Sequence, residues 1–185
     1  MSAEESLVLN NLQRRRIGIV TDTTAVLPPE YCAAHGIRVV PQVIIFGEES
    51  FLEGVELSGA EFIRRLRASP QLPKTAAPPP GLFVEAYRAL LSEADTVLSI
   101  HPSTDVSGTV RSALTAREES FPGADIRILD TRTVGGCLGA MVRAAASWAD
   151  SGLGAAEIVG RLQGMIPRSR TFFLIRTLEY LQKGG

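Results

Sequence analysis

Hydroxyl side chains crowd three short segments of this chain. Val20 closes an apolar run and Thr21-Asp22-Thr23-Thr24 follows. Ile100 closes another, and His101-Pro102-Ser103-Thr104-Asp105-Val106-Ser107-Gly108-Thr109 follows. Leu129 closes a third, before Asp130-Thr131-Arg132-Thr133 and Gly135-Gly136. Each reads as strand, hydroxyl-rich turn, helix start. Free amides, hydroxyls and the positive end of a helix dipole make such turns suitable for an anion. Ser and Thr are also ordinary N-caps and turn formers, so a single turn of this kind carries little weight. Three carry more, because parallel strands bring them to one edge of a sheet, where open α/β sheets place their ligands. Thr75, after Leu72-Pro73-Lys74, offers a further hydroxyl from a proline-held loop.

The anion that fits is a carboxylate. A nucleotide site would want a phosphate loop, and neither Gly-x-x-x-x-Gly-Lys-Ser/Thr nor the dinucleotide fingerprint occurs; Gly135-Gly136-Cys137-Leu138-Gly139 is not the latter. A carboxylate needs fewer donors than a polyphosphate, and hydroxyls with a few amides suffice. Catalytic readings are weaker. Ser107 as a nucleophile needs a base at hand, and a Gly-x-Ser-x-Gly elbow is absent. The two histidines, His35 and His101, read as surface or packed residues. Asp22 and Asp130 leave one alternative open, a small-molecule enzyme with paired carboxylates, although aspartate after a strand more commonly caps the turn that follows. No metal-ligand spacing is present, and no metal or catalytic residue is expected.

The elements that must position these turns follow from hydrophobic pattern. Ile17 to Val20, Ile37 to Phe46, Thr96 to Ile100, Ile126 to Leu129 and Thr171 to Ile175 are apolar, β-branched runs. Continuous runs suit strands buried on both faces of a parallel sheet. Pro41 breaks the second run, so the chain is expected to bend or change partner there. Helical patterns fill the gaps. Ser58 and Glu61 read as a capping box before Phe62, Ile63 and Leu66. Phe83, Tyr87, Leu90 and Leu91 follow Pro80-Gly81 on one side of a helix. Leu138, Met141, Val142, Ala145 and Trp148 form a buried stripe, and Ile158, Leu162, Met165 and Ile166 repeat it. Gly47 to Gly59 reads as a hairpin or excursion. The expected fold is therefore α/β, a mostly parallel sheet flanked by helices.

With 185 residues, 45% of them hydrophobic and 21% charged, the chain has the composition of an ordinary globular domain. A net charge of −1 gives no argument for nucleic acid. No segment is apolar for long enough to span a bilayer, and the acidic start lacks the basic flank of a signal peptide, so a cytoplasmic protein without stable membrane insertion is expected. Cys32 and Cys137 read as small buried side chains in a reducing compartment.

Taken together in order, these motifs resemble the DegV family of fatty-acid-binding proteins. The resemblance is carried by Val20 to Thr24, by Leu72-Pro73-Lys74-Thr75 with Pro78 and Gly81, by Ile100 to Thr109, by Leu129-Asp130-Thr131 with Gly136 and Gly139, and by Thr177-Leu178-Glu179-Tyr180-Leu181-Gln182-Lys183-Gly184-Gly185. It implies an N-terminal extension over residues 1–16 and a DegV-like α/β domain over 17–168, with an excursion at about 41–75. Residues 169–185 would begin a second α/β domain, cut short at Gly185. It implies no activity of the chain's own and no cofactor. The ligand would be a long-chain fatty acid, held by its carboxylate through Thr75 and Ser107, with Ser103, Thr104, Gly108 and Thr109 around them and Thr23, Thr24, Asp130 and Thr131 in support. The tail would fill an apolar tunnel, and the partner would be the catalytic subunit of a fatty acid kinase. Two departures stand out: Thr75-Ala76-Ala77-Pro78-Pro79 lacks the neighbouring hydroxyl and amide usual in the family, and Asp105 stands where glycine is usual.

Overall fold

The computed structural model describes residues 15–174 and Leu178. In chain order, strand β1 spans Arg15–Asp22 and runs into a 3-10 turn, Thr23–Ala25. Helix α1 (Pro29–His35) and strand β2 (Ile37–Val40) follow. Next come β3 (Val43–Phe46), β4 (Glu49–Leu52), α2 (Gly59–Ala68), β5 (Lys74–Ala76) and α3 (Pro80–Leu91). The last are β6 (Ala94–His101), α4 (Thr109–Ser120), β7 (Ile126–Asp130), α5 (Gly136–Asp150) and α6 (Ala155–Met165).

Four strands form a parallel sheet in the order β2-β1-β6-β7. Successive residues of a strand face opposite sides, so continuous apolar runs need cover on both faces. That cover is present. Ile19, Leu98 and Ile100 pack with Cys32 of α1, with Leu138, Met141, Val142 and Ala145 of α5, and with Ile158 and Leu162 of α6. On the other face Val20 and Val97 pack with Phe83, Tyr87 and Leu90 of α3 and Ala113 and Ala116 of α4. The fold is thus α/β, a parallel sheet between helical layers.

Two glycines set the closeness of this packing. A Cβ on Gly18 would lie 3.1 Å from Leu90, and one on Gly139 would lie 2.4 Å from the Ala25 carbonyl oxygen. The second contact presses α5 against the turn after β1, and only glycine admits it.

At Pro41 the chain leaves the parallel sheet. Strands β3 and β4 form an antiparallel hairpin around Gly47, whose φ of 61° suits glycine. Strand β5 pairs with the other edge of β3, Thr75 opposite Ile44. This three-stranded sheet, in the order β4-β3-β5, carries the hydroxyl of Thr75.

Some expectations from the sequence do not hold. Helix α2 buries no residue fully, and Ile63 is 43% exposed. Its neighbour is the small sheet, against which Phe62 meets Phe46 at 5.9 Å between ring centroids. Its capping box is one-sided: the Ser58 hydroxyl accepts from the Glu61 amide, but the Glu61 carboxylate holds Arg64 and Arg65. Trp148 is half-buried under the guanidinium of Arg161. Cys32 is buried but Cys137 is partly exposed, and its thiol donates to the Arg170 carbonyl. Strand β1 begins at Arg15 rather than Ile17. Thr171 to Leu174 have no regular secondary structure, Phe172 to Leu174 are exposed, and Thr171 bonds instead to the Val134 carbonyl. Ile175, most of the helix expected over 177–183, and the extension up to residue 14 lie outside the described residues.

Candidate functional site: the hydroxyl turns at the strand ends

The three turns meet at the C-terminal edge of the parallel sheet, and most of their hydroxyls are already committed. In the first, the Asp22 carboxylate caps the turn by accepting from the Thr24 amide at 3.0 Å and from the Thr24 hydroxyl. The Thr21 hydroxyl donates to the Ile100 carbonyl, tying β1 to β6. The Thr23 hydroxyl donates to Glu53 and accepts from the Gln42 amide. In the third turn the Asp130 carboxylate accepts from the Arg132 amide, whose residue sits at φ 56°, and from both the amide and the hydroxyl of Thr104. The Thr131 hydroxyl donates to the His101 carbonyl. Thr133 shares a hydrogen bond with Thr171.

The middle turn, after β6, is built around Ser103 and Ser107. Ser103 is buried. Its amide donates to the Thr133 carbonyl, its carbonyl accepts from the Val106 and Ser107 amides, and its hydroxyl accepts from the Asp105 amide. Ser107 is partly exposed at the start of α4. Its oxygen accepts from the Thr109 amide at 3.2 Å and lies 2.8 Å from the Thr109 hydroxyl. Ala77 meets this turn: a Cβ on Gly108 would lie 3.4 Å from its methyl. Thr75 stands two residues before Ala77. Its own hydroxyl is exposed and has no hydrogen-bond partner among the described residues. Asp105 does not leave a bare negative charge beside the turn, because Arg132 pairs with it at 3.0 Å.

Beneath the turns lies a buried chain of polar groups that hydrophobic pattern alone does not reveal. Asp22 and His101 are fully buried and bonded at 2.7 Å through Nδ1. His101 Nε2 meets the Ser99 hydroxyl at 2.6 Å, and Ser99 meets the Tyr87 hydroxyl at 2.7 Å. Gln42 Nε2 lies 3.2 Å from Asp22 and 3.0 Å from the Thr109 hydroxyl. Burial pushes the Asp22 carboxyl up, but the hydrogen bond from His101, the nearby imidazole and the Thr24 donors outweigh it, and the carboxyl stays below its ordinary value. Burial pushes the Tyr87 phenol up to about 12, against the opposing bond to Ser99. The sequence offers one signal for Gln42: a polar residue placed between Pro41 and an apolar strand.

This arrangement tells against the paired-aspartate enzyme. Asp22 is sealed and fully engaged by protein donors, and Asp130 holds two turns together. No cluster of metal ligands occurs among the described residues. An apolar groove of about 490 Å³, lined by Val26, Leu27, Ile37, Val39 and Val55, flanks the first turn; neither Thr75 nor Ser107 lines it. No helix of the described residues is long and apolar enough to cross a membrane.

The sequence signature of the family described as "Uncharacterised protein, DegV family" matches residues 16–185. The chain belongs to the DegV family. A DegV domain-containing protein of Deinococcus radiodurans is 38% identical over 169 residues, covering 91% of this chain and 59% of that relative. A solved structure described as fatty acid binding of a DegV family protein from Thermus thermophilus superposes with a TM-score of 0.81 at 34% identity, over 91% of this chain and 60% of the other. The structure described as DegV, a fatty acid binding protein from Bacillus subtilis, gives 0.82 at 32%, over 92% and 61%. The chain thus spans about 60% of the length of these DegV relatives.

Proposed function

We propose that this protein binds a long-chain fatty acid rather than catalysing a reaction, and that it presents the acid to a fatty acid kinase for phosphorylation. The observation that carries the reading is the state of the hydroxyls. Thr104, Thr23, Thr24 and Thr131 donate their hydroxyl protons within the protein and Ser103 is buried under the Asp105 amide, whereas the Ser107 hydroxyl is partly exposed and the exposed Thr75 hydroxyl has no partner among the described residues. Ser107 stands just ahead of the Gly108 N-cap of the twelve-residue helix α4, whose positive end favours an anion. The fatty acids described for the Thermus thermophilus and Bacillus subtilis relatives support a carboxylate as that anion.

The two ends of such a ligand do different work. About 0.8 kcal/mol per buried CH₂ makes a long tail worth on the order of 10 kcal/mol before costs. A hydrogen bond to a charged group supplies only ~1.5 to 3 kcal/mol. The tail gives affinity, in an apolar tunnel. Ser107 and Thr75 give orientation, leaving the carboxylate where a kinase can reach it.

Organic extraction of the purified protein followed by mass spectrometry tests this. A long-chain fatty acid should co-purify in near-stoichiometric amount, and Ser107→Ala and Thr75→Ala should each weaken its retention by about tenfold. Lipid no more abundant than in an unrelated control protein would sink the proposal. For the kinase role, loaded protein with kinase and ATP should yield an acyl phosphate; turnover equal to that of free fatty acid would remove that part alone.

A further inference from the structure

Gln42 stands where the chain passes from the parallel sheet to the small one, and its backbone is held on both sides. Its amide donates to the Thr23 hydroxyl and its carbonyl accepts from the Glu53 amide. Its side chain is buried and reaches Asp22 and Thr109 through one nitrogen. The proton directions from Asp22 to Ser107 follow from what each group can donate or accept.

Asp22, with its carboxyl held below the ordinary range, is an acceptor only. The Gln42 amide must therefore turn its NH₂ toward it, since the opposite flip would set carbonyl against carboxylate. The second proton of that NH₂ points at the Thr109 oxygen, which must accept it. The buried Thr109 hydroxyl then has one remaining partner for its own proton, the Ser107 oxygen at 2.8 Å. Ser107 also accepts from the Thr109 amide. With both lone pairs filled, the Ser107 hydroxyl can only donate, and its proton has no acceptor among the described residues. On the far side of Asp22 the buried chain continues through His101, Ser99 and Tyr87 at 2.7, 2.6 and 2.7 Å.

We propose that Gln42 is a positioning residue that, through Thr109, fixes Ser107 as an outward hydrogen-bond donor and so makes the site selective for an ionised carboxylate over a neutral hydroxyl headgroup, which is a weaker acceptor. This rests on the fatty acid reading above. It adds that headgroup selectivity originates in a residue that need not touch the ligand.

The test compares binding of a long-chain fatty acid with that of the fatty alcohol of the same chain length, by displacement of a fluorescent fatty acid from delipidated protein. The wild-type protein should prefer the acid, and Ser107→Ala should abolish most of the preference. Gln42→Met should lower the acid-to-alcohol affinity ratio by about tenfold, because the charged acceptor loses more than the neutral one. Thr109→Val should do the same and Thr109→Ser should restore the ratio; this pair decides the matter if Gln42→Met does not fold. A wild-type ratio in Thr109→Val, with the ratio lost in Ser107→Ala, would overturn the relay and leave the fatty acid reading intact. Equal weakening of both ligands in Thr109→Val and Gln42→Met would also overturn it, as a merely structural effect. No preference for the acid in the wild-type protein would overturn the carboxylate clamp itself, and the relay with it.

Discussion

The two segments that carry the proposed clamp differ sharply in how they are held. Ser107 stands on the edge of the parallel sheet, above Thr21, Asp22, Ser99, His101, Thr109 and Thr131, all of them polar and all buried. Thr75 stands on a three-residue strand with every residue exposed, in a sheet whose covering helix buries nothing fully. Within that excursion only Ile44 and Leu57 are buried apolar residues. One side of the site therefore rests on a buried polar chain. The other is a light flap with few buried apolar contacts. Such a division suits the proposed carrier, in which a fixed donor would set the headgroup and a less tightly packed element would let an acyl chain in and out.

The largest effect on this contrast should come from Asp22. Asp22→Ala leaves His101, Gln42 and Thr24 donors buried without their shared acceptor, and removing one partner of a buried pair typically costs about 3 to 5 kcal/mol. Urea unfolding should show a loss of that size at neutral pH. The acid limb should change too. The Asp22 carboxyl lies lower in the folded protein than its ordinary value of 3.8, so it stabilises the fold above that value and the contribution fades as pH falls below it. The variant should lose that part of the pH slope. A cost under 1 kcal/mol would mean the buried chain is not what makes this side rigid.

Tyr87 probes the same chain from the alkaline side with a somewhat smaller effect. Its phenol is raised from 10.0 to about 12 by burial, so its contribution is fully present below pH 10 and lost as pH rises through 12. Two units correspond to about 2 to 3 kcal/mol. Wild-type stability should fall across that window, and Tyr87→Phe should flatten the fall while costing about 1 kcal/mol at pH 7 for the lost hydroxyl. An unchanged alkaline slope in the variant would place the titrating group elsewhere.

Strand and helix order was legible because buried parallel strands write themselves as continuous β-branched runs, and Pro41 marked the change of sheet. The buried polar chain was not legible, for a physical reason. Asp22 and His101 are 79 residues apart, and Gln42 and Thr109 are 67 apart; their meeting depends on strand register, which local pattern does not encode. Tyr87 looked like one more member of an apolar stripe, and His101 like a packed or surface histidine. The stripe of α2 misled in the opposite way: periodicity says which face turns inward, not how much cover awaits it. The run after Ser169 had strand composition but finds no strand to pair with among the described residues. Of the hydroxyl turns, the sequence placed the candidates at one edge but could not say which were spent on capping.

The smallest expected effect lies in the flap. Ile63, at 43% exposure on α2, gains little from its apolar neighbours, so Ile63→Ser should cost no more than about 0.5 kcal/mol in urea unfolding. That near-neutrality is informative because an isoleucine buried in the main core would cost several times more on truncation. A loss above about 1.5 kcal/mol would show that α2 closes tightly over the small sheet in solution. Thr75 would then be held as firmly as Ser107, and the site would be a two-sided rigid clamp whose ligand must enter by some route other than movement of the flap.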